Sequence, residues 1–155
     1  MTEGLDPALE RRIAVDLFNY VWTLLERPDR SVADDDEMLH AAHASRHHWG
    51  QIGTPENLER GEWQVSHVYS VLGRAEPALY HAQRCLDICK EHRIGDWDLA
   101  FAYEALARAA SVAGDFEALA KHLEDAREAA TQIAEDDDRE HLLKQLESIP
   151  TGSTA

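Results

Sequence analysis

Four of the nine histidines in this chain fall between His40 and His48. On a helix advancing about 100° per residue, His40, His43 and His47 lie within an arc of about 60°, with Ala44 beside them, while Met38, Ala42 and Trp49 point the other way. Imidazoles spaced i, i+3 and i, i+4 let two rings reach one divalent ion such as zinc, nickel or non-haem iron. A carboxylate or another histidine must then arrive from a neighbouring helix. Glu62, as ligand or base, and His67 and His81 are the residues placed to supply it. The same pattern also serves as a polar face, with His40 and His47 solvated and His43 half-buried and hydrogen-bonded. No fixed motif such as H-E-x-x-H decides between the two.

A second stripe, His81, Cys85, Cys89 and His92, has helical spacing and soft donors. Its plainer reading is structural, because a buried reduced cysteine packs as a small hydrophobe. The two cysteines are four residues apart on one helix, a geometry that disfavours a bridge, and reduced thiols fit a cytoplasmic chain. Spacing offers no nucleophile–base pair and no glycine-rich phosphate loop. The acidic runs Asp34–Asp36 and Asp136–Asp138 lack the alternation of a calcium loop.

The elements that must position these groups are all helical. Asp6-Pro7 opens a first helix to about Glu26. Leu9, Ile13, Leu17, Tyr20 and Leu24 form one apolar stripe on it and Val15, Phe18, Trp22 and Leu25 another, so it expects cover on more than one side. Ser31 with Asp34 reads as a capping box for a helix to Trp49. Thr54-Pro55 opens a third helix to Leu72, Glu76-Pro77 a fourth to about His92, Asp96 a fifth, and Asp115 a sixth to about Glu135. Asp136–Asp138 suit the positive end of a seventh, whose Leu142, Leu143, Leu146 and Ile149 give it one apolar face. No run alternates apolar and polar residues over strand length. Residues 1–149 are expected to form a single helical domain and 150–155 a disordered tail.

Thirty acidic against fifteen basic side chains give a net charge of −15, which repels phosphate backbones and anionic lipid. Neither nucleic acid nor a membrane is the expected partner. The amino terminus lacks the basic start and apolar core of a signal peptide, and no apolar run is long enough to span a bilayer, so a cytoplasmic location is expected.

Two stretches, Glu59–Leu86 and Ala100–Arg127, are variants of one another. Gly73 and Gly114 stand 41 residues apart, within the range of two-helix repeats that stack because one hairpin cannot bury its own apolar face. Aligned on those glycines, Val65 matches Leu106, Ser66 matches Ala107, Tyr69 matches Ala110, Leu72 matches Ala113 and Ala78 matches Leu119. The pattern resembles the tetratricopeptide repeat over about half of the chain, with a period longer than that family's 34. The resemblance implies an all-α, right-handed solenoid of helical hairpins, about seven helices in all, with the first hairpin degenerate and the seventh helix a cap.

It also implies a concave groove lined by the first helix of each repeat, here Arg60, Trp63, His67 and Ser70, then Phe101, Glu104, Arg108 and Ser111. Family members that grip a chaperone's terminal carboxylate carry Lys and Asn where this chain has Trp63 and His67, which argues against that partner. Two functions follow. One is a non-catalytic module presenting the groove to a protein, a peptide or its own copy. The other is a metal or small-ligand site, catalytic or not, built on His40, His43, His47 and Glu62.

Overall fold

The computed structural model describes residues 4–152, and these form seven α-helices and no strand. They are α1 (Pro7–Leu25), α2 (Val32–Ile52), α3 (Pro55–Val71), α4 (Ala75–Glu91), α5 (Asp96–Ala113), α6 (Phe116–Ala130) and α7 (Asp136–Glu147). None among the described residues is long and apolar enough to cross a membrane. The closest packing is within the successive pairs α1/α2, α3/α4 and α5/α6; α2 also packs on α3, α4 on α5 and α3 on α5.

Local signals set most boundaries. The Asp6 carboxylate accepts from the Leu9 N–H, and Ser31 with Asp34 and Thr54 with Asn57 each form a reciprocal capping box, a device worth about 1 kcal/mol per helix start. Asp115 caps α6. The fifth helix differs from expectation: Gly95 occupies its cap position, and Asp96, with φ of 54°, turns its carboxylate to the Trp97 N–H at 2.7 Å. The fourth starts at Ala75 without a side-chain cap, and the second runs on to Ile52. The sixth stops at Ala130, where the chain turns inward to bury Ile133. Arg139 from α7 holds that turn through the Ile133 carbonyl at 2.6 Å.

The two glycine turns share a backbone bonding pattern, though Asp115 caps the helix that follows and Arg74 does not. Gly73 and Gly114 have φ of 75° and 72°, a left-handed conformation that costs other residues about 1–2 kcal/mol. The Arg74 N–H reaches the Tyr69 carbonyl at 2.9 Å, and the Asp115 N–H reaches Ala110 at 3.0 Å. In the first of these hairpins the Ser66 hydroxyl donates to the Ala78 carbonyl at 2.8 Å, so the two helices touch where small residues stand.

The apolar interior is divided into three clusters along the stack. Val21, Leu24, Met38, Val65 and Val68 join α1, α2 and α3. Ala82, Cys85, Leu86, Cys89, Ala102 and Leu106 join α4 to α5. Leu119, Leu123, Ile133, Leu142, Leu146 and Ile149 join the last hairpin to α7, which closes that end. Each cluster buries the apolar faces of helices that are neighbours in the chain.

Candidate functional site

The odd-numbered helices face one another across a recess of about 350 Å³. Phe18 and Trp22 from α1, Trp63 from α3, Trp97 and Phe101 from α5, and His141 from α7 form its walls. The second apolar stripe of α1 therefore faces this space. Trp63 is the hub: its ring lies 5.9 Å from Trp22, 5.8 Å edge-on from Phe101, and stacks on His67 at 4.9 Å with 13° between planes. Rings at these separations attract one another beyond simple burial, so the wall is preformed.

Charged groups complete the recess. Arg60 grips the Asp98 carboxylate with two hydrogen bonds of 2.9 and 3.0 Å, and its guanidinium lies 4.5 Å over the Trp97 ring. Asp138 from α7 also lines the recess. Glu59, only 2% exposed, and Cys85, 1% exposed, line its floor, and Cys89, also 1% exposed, lies beside Glu59. The Glu59 Oε2 atom is 3.1 Å from Cys89 Sγ and 4.0 Å from Cys85 Sγ. Burial, with Asp98 adding to it, pushes the Glu59 carboxyl up to about 11, so it keeps its proton at neutral pH. The Cys85 thiol is pushed well up by its hydrogen bond with Cys89 and by burial, while that same bond pulls Cys89 down.

Of the groove residues expected from the sequence, Arg60, Trp63 and Phe101 line this recess, and His67 lies behind Trp63. Burial, aided by the charge of Arg108, drives His67 down to about 4, and its buried Nδ1 has no hydrogen-bond partner among the described residues. Glu104 and Arg108 are committed to each other. Glu104 is fully buried, accepts from Arg108 Nε at 2.8 Å and from Trp63 Nε1 at 3.1 Å. Burial raises its carboxyl while Arg108 opposes the rise. The Arg108 Nη2 group also donates to the Gln145 carbonyl and the Ser148 hydroxyl, at 3.1 and 2.9 Å. The Ser111 hydroxyl donates to the Pro150 carbonyl. Ser70, Arg108 and Ser111 thus line a second recess walled by Ser148 and Pro150 from the chain's own end. A Cβ added at Gly152 would meet the Phe116 ring at 2.5 Å, so this end also packs close to α6.

The histidine face is placed elsewhere. His40, His43 and His47 are exposed on α2, and only His43 reaches the neighbouring helices. Its Nε2 lies 2.8 Å from the Tyr69 hydroxyl, and its ring meets that of His81 at 5.4 Å. Partial burial against those rings, with the His81 charge, holds His43 below its ordinary pKa, against the pull of Glu62. Glu62 is engaged by His81 Nδ1 at 2.8 Å and Arg46 at 3.5 Å. Among the described residues, the one group of three His, Cys, Asp or Glu side chains whose donor atoms approach within 4.8 Å of one another is Glu59, Cys85 and Cys89. His81 and His92 of the cysteine stripe do not join it.

Sequence reasoning did not single out Glu59 and Asp98. The available signal was an acidic residue on the inner stripe of a helix, at i−4 from Trp63 and i−3 from Phe101. What these groups make together is an aromatic recess with a proton-holding, thiol-rich floor. No family model matches the chain, and neither a curated protein nor a solved structure matches it.

Proposed function

We propose that this protein is a non-catalytic interaction module, a short, right-handed, tetratricopeptide-like solenoid whose concave face grips an extended segment of a partner protein. The segment carries an apolar side chain, seated among Trp22, Trp63, Trp97 and Phe101, between Lys or Arg residues. The observation that carries this reading is the convergence of those four rings, from three successive odd-numbered helices, on one recess of about 350 Å³. Preformed aromatic pockets of this kind supply most of the energy at protein interfaces. The basic flanks follow from Asp138 at the wall, the acidic start of α7 and the net charge of −15. That charge turns away nucleic acid and anionic lipid, and the unbridged thiols suit the cytoplasm.

The test is selection of displayed random peptides on the folded chain, followed by titration against the intrinsic tryptophan signal. Enrichment of an apolar residue flanked by Lys or Arg, with binding lost in Trp97→Ala and weakened by salt, is the expected outcome. Trp97→Ala removes one wall while leaving the Trp63–Glu104 bond in place. Selected peptides that bind Trp97→Ala as tightly as the parent, with helical circular dichroism unchanged, would exclude the recess as the site. A monomer–dimer equilibrium abolished by Trp97→Ala would make a second copy the occupant.

A further inference from the structure

We infer that Glu59, Cys85 and Cys89 form a zinc site at the floor of the aromatic recess, with its fourth coordination position facing the recess. The site is distinct from the histidine face of α2 and does not depend on what enters the mouth of the groove.

The geometry is that of a thiolate–carboxylate site. Zinc takes cysteine sulfur at about 2.3 Å and carboxylate oxygen at about 2.1 Å in a tetrahedron, which places sulfur and oxygen about 3.6 Å apart. The two sulfur–oxygen distances here, 3.1 and 4.0 Å, bracket that edge, and all three donor atoms lie within 4.8 Å of one another. The small shift needed to equalise them is within reach of side-chain rotation. Cys85 and Cys89 stand one helical turn apart on α4, so one face of one rigid helix presents both sulfurs, and α3 brings Glu59 to meet them.

The surroundings call for a cation. Glu59 is 2% exposed and faces acceptors and weak donors: two thiols, and the Asp98 carboxylate that Arg60 already holds. Its nearest basic atom, Arg60 Nε, is 3.9 Å away. On binding, one zinc ion enters, bonds form to two sulfurs and one oxygen, and the protons that these donors carried leave to solvent. The donor set rejects calcium and magnesium, which require oxygen alone. Glu59 and Cys85 both line the recess, which gives the ion a path in and a free position for water or a ligand atom.

The experiment uses untagged full-length chain, reduced and stripped with chelator. Cobalt(II) substituted into the unaltered chain should give the intense near-ultraviolet charge-transfer band of thiolate ligation, displaced by one equivalent of zinc. Calorimetry in buffers of different ionisation enthalpy should show more than one proton released per zinc at neutral pH as the thiols ionise, where a histidine site would release less than one. Cys89→Ser and Glu59→Gln should each weaken zinc beyond the roughly 10–100-fold that disturbing an outer hydrogen-bond partner costs. His43→Ala should leave affinity unchanged. A cobalt spectrum without thiolate bands overturns the proposal, and needs no variant to fold. So does zinc affinity that His43→Ala abolishes, or uptake of copper(I) in preference to zinc with indifference to Glu59→Gln. Peptide binding lost in Trp97→Ala reports on the groove alone, so either reading can fail without the other.

Discussion

Trp63 and Glu104 occupy the same position in the two hairpins, 41 residues apart, and they touch: the indole Nε1–H donates to Glu104 Oε2 at 3.1 Å. The bond joins α3 to α5, so it reports how those two helices sit against each other. It also ties the groove to its foundation, because the same carboxylate holds Arg108 and through it the end of α7.

Removing that indole donor should cost stability without unfolding the chain. Trp63→Phe keeps an aromatic side chain but loses the second ring of the indole, and it strips one partner from a fully buried carboxylate, a loss of about 1–3 kcal/mol for the bond itself. Arg108→Met, which leaves Glu104 without its counter-charge, should cost about 3–5 kcal/mol. Urea unfolding of both variants measures the order, and a larger loss for Trp63→Phe than for Arg108→Met would contradict this account.

The two glycine turns should respond alike. Nothing lies within 4 Å of a Cβ built at Gly73 or Gly114, so the cost of alanine there is backbone strain alone, about 1–2 kcal/mol at each. Gly61 provides the contrast, since its Cβ would come within 2.8 Å of the Arg46 side chain and 3.4 Å of its Cα. Thermal melts of Gly73→Ala and Gly114→Ala should agree with each other; a twofold difference in destabilisation would argue against equivalent turns.

Stability of the metal-free chain should decline on the alkaline side. Glu59 keeps in the folded state a proton that the unfolded chain loses above about 4.5, so its contribution falls as pH rises from there through about 11. His67 works in the opposite sense. The unfolded chain takes up a proton below 6.5 that the folded chain refuses until about 4, so stability falls as pH drops through that window. The two slopes offset between about 4.5 and 6.5. Above it Glu59 acts unopposed by His67, at up to about 1.4 kcal/mol per pH unit. Chelator-treated Glu59→Gln should therefore lose less stability than the parent between pH 7 and 9, and parallel curves would show that Glu59 is ionised in the folded chain.

Truncation should separate the tail from the cap. Ile149 is 3% exposed within the last apolar cluster, whereas Pro150 contributes one carbonyl to Ser111. A chain ending at Ile149 keeps the buried isoleucine and loses the Pro150 bond to Ser111, worth about 1 kcal/mol, together with the contacts of Thr151 and Gly152. Ending it at Glu147 should cost about 2–3 kcal/mol more for the lost isoleucine. Equal losses on denaturant unfolding would mean that Ile149 adds nothing to the last apolar cluster.

Much of the helical architecture was legible in the chain. Asp6, Ser31, Thr54 and Asp115 marked helix starts because a short polar side chain before an apolar run satisfies exposed N–H groups locally. Asp96 misled for the same reason: its carboxylate turned to the next residue, and only the path of the Arg93–Asp96 connection decides that. The sixth helix ended early because Ile133 found a buried position off the helix, which periodicity alone does not reveal.

The functional groups divide in the same way. The sequence alone determined seven helices, the repeat that aligns Trp63 with Glu104, and the stripe that put Phe18 and Trp22 on one side of α1, because periods of 3.6 and 41 residues are properties of the chain. Tertiary structure decided which polar side chains meet. It left His40 and His47 in solvent, gave Glu62 to His81 and Arg46, buried Glu104 beneath Trp63, and brought Glu59 to the two cysteines. Those meetings depend on how far neighbouring helices rotate and slide, a few ångströms that no spacing along a single helix records.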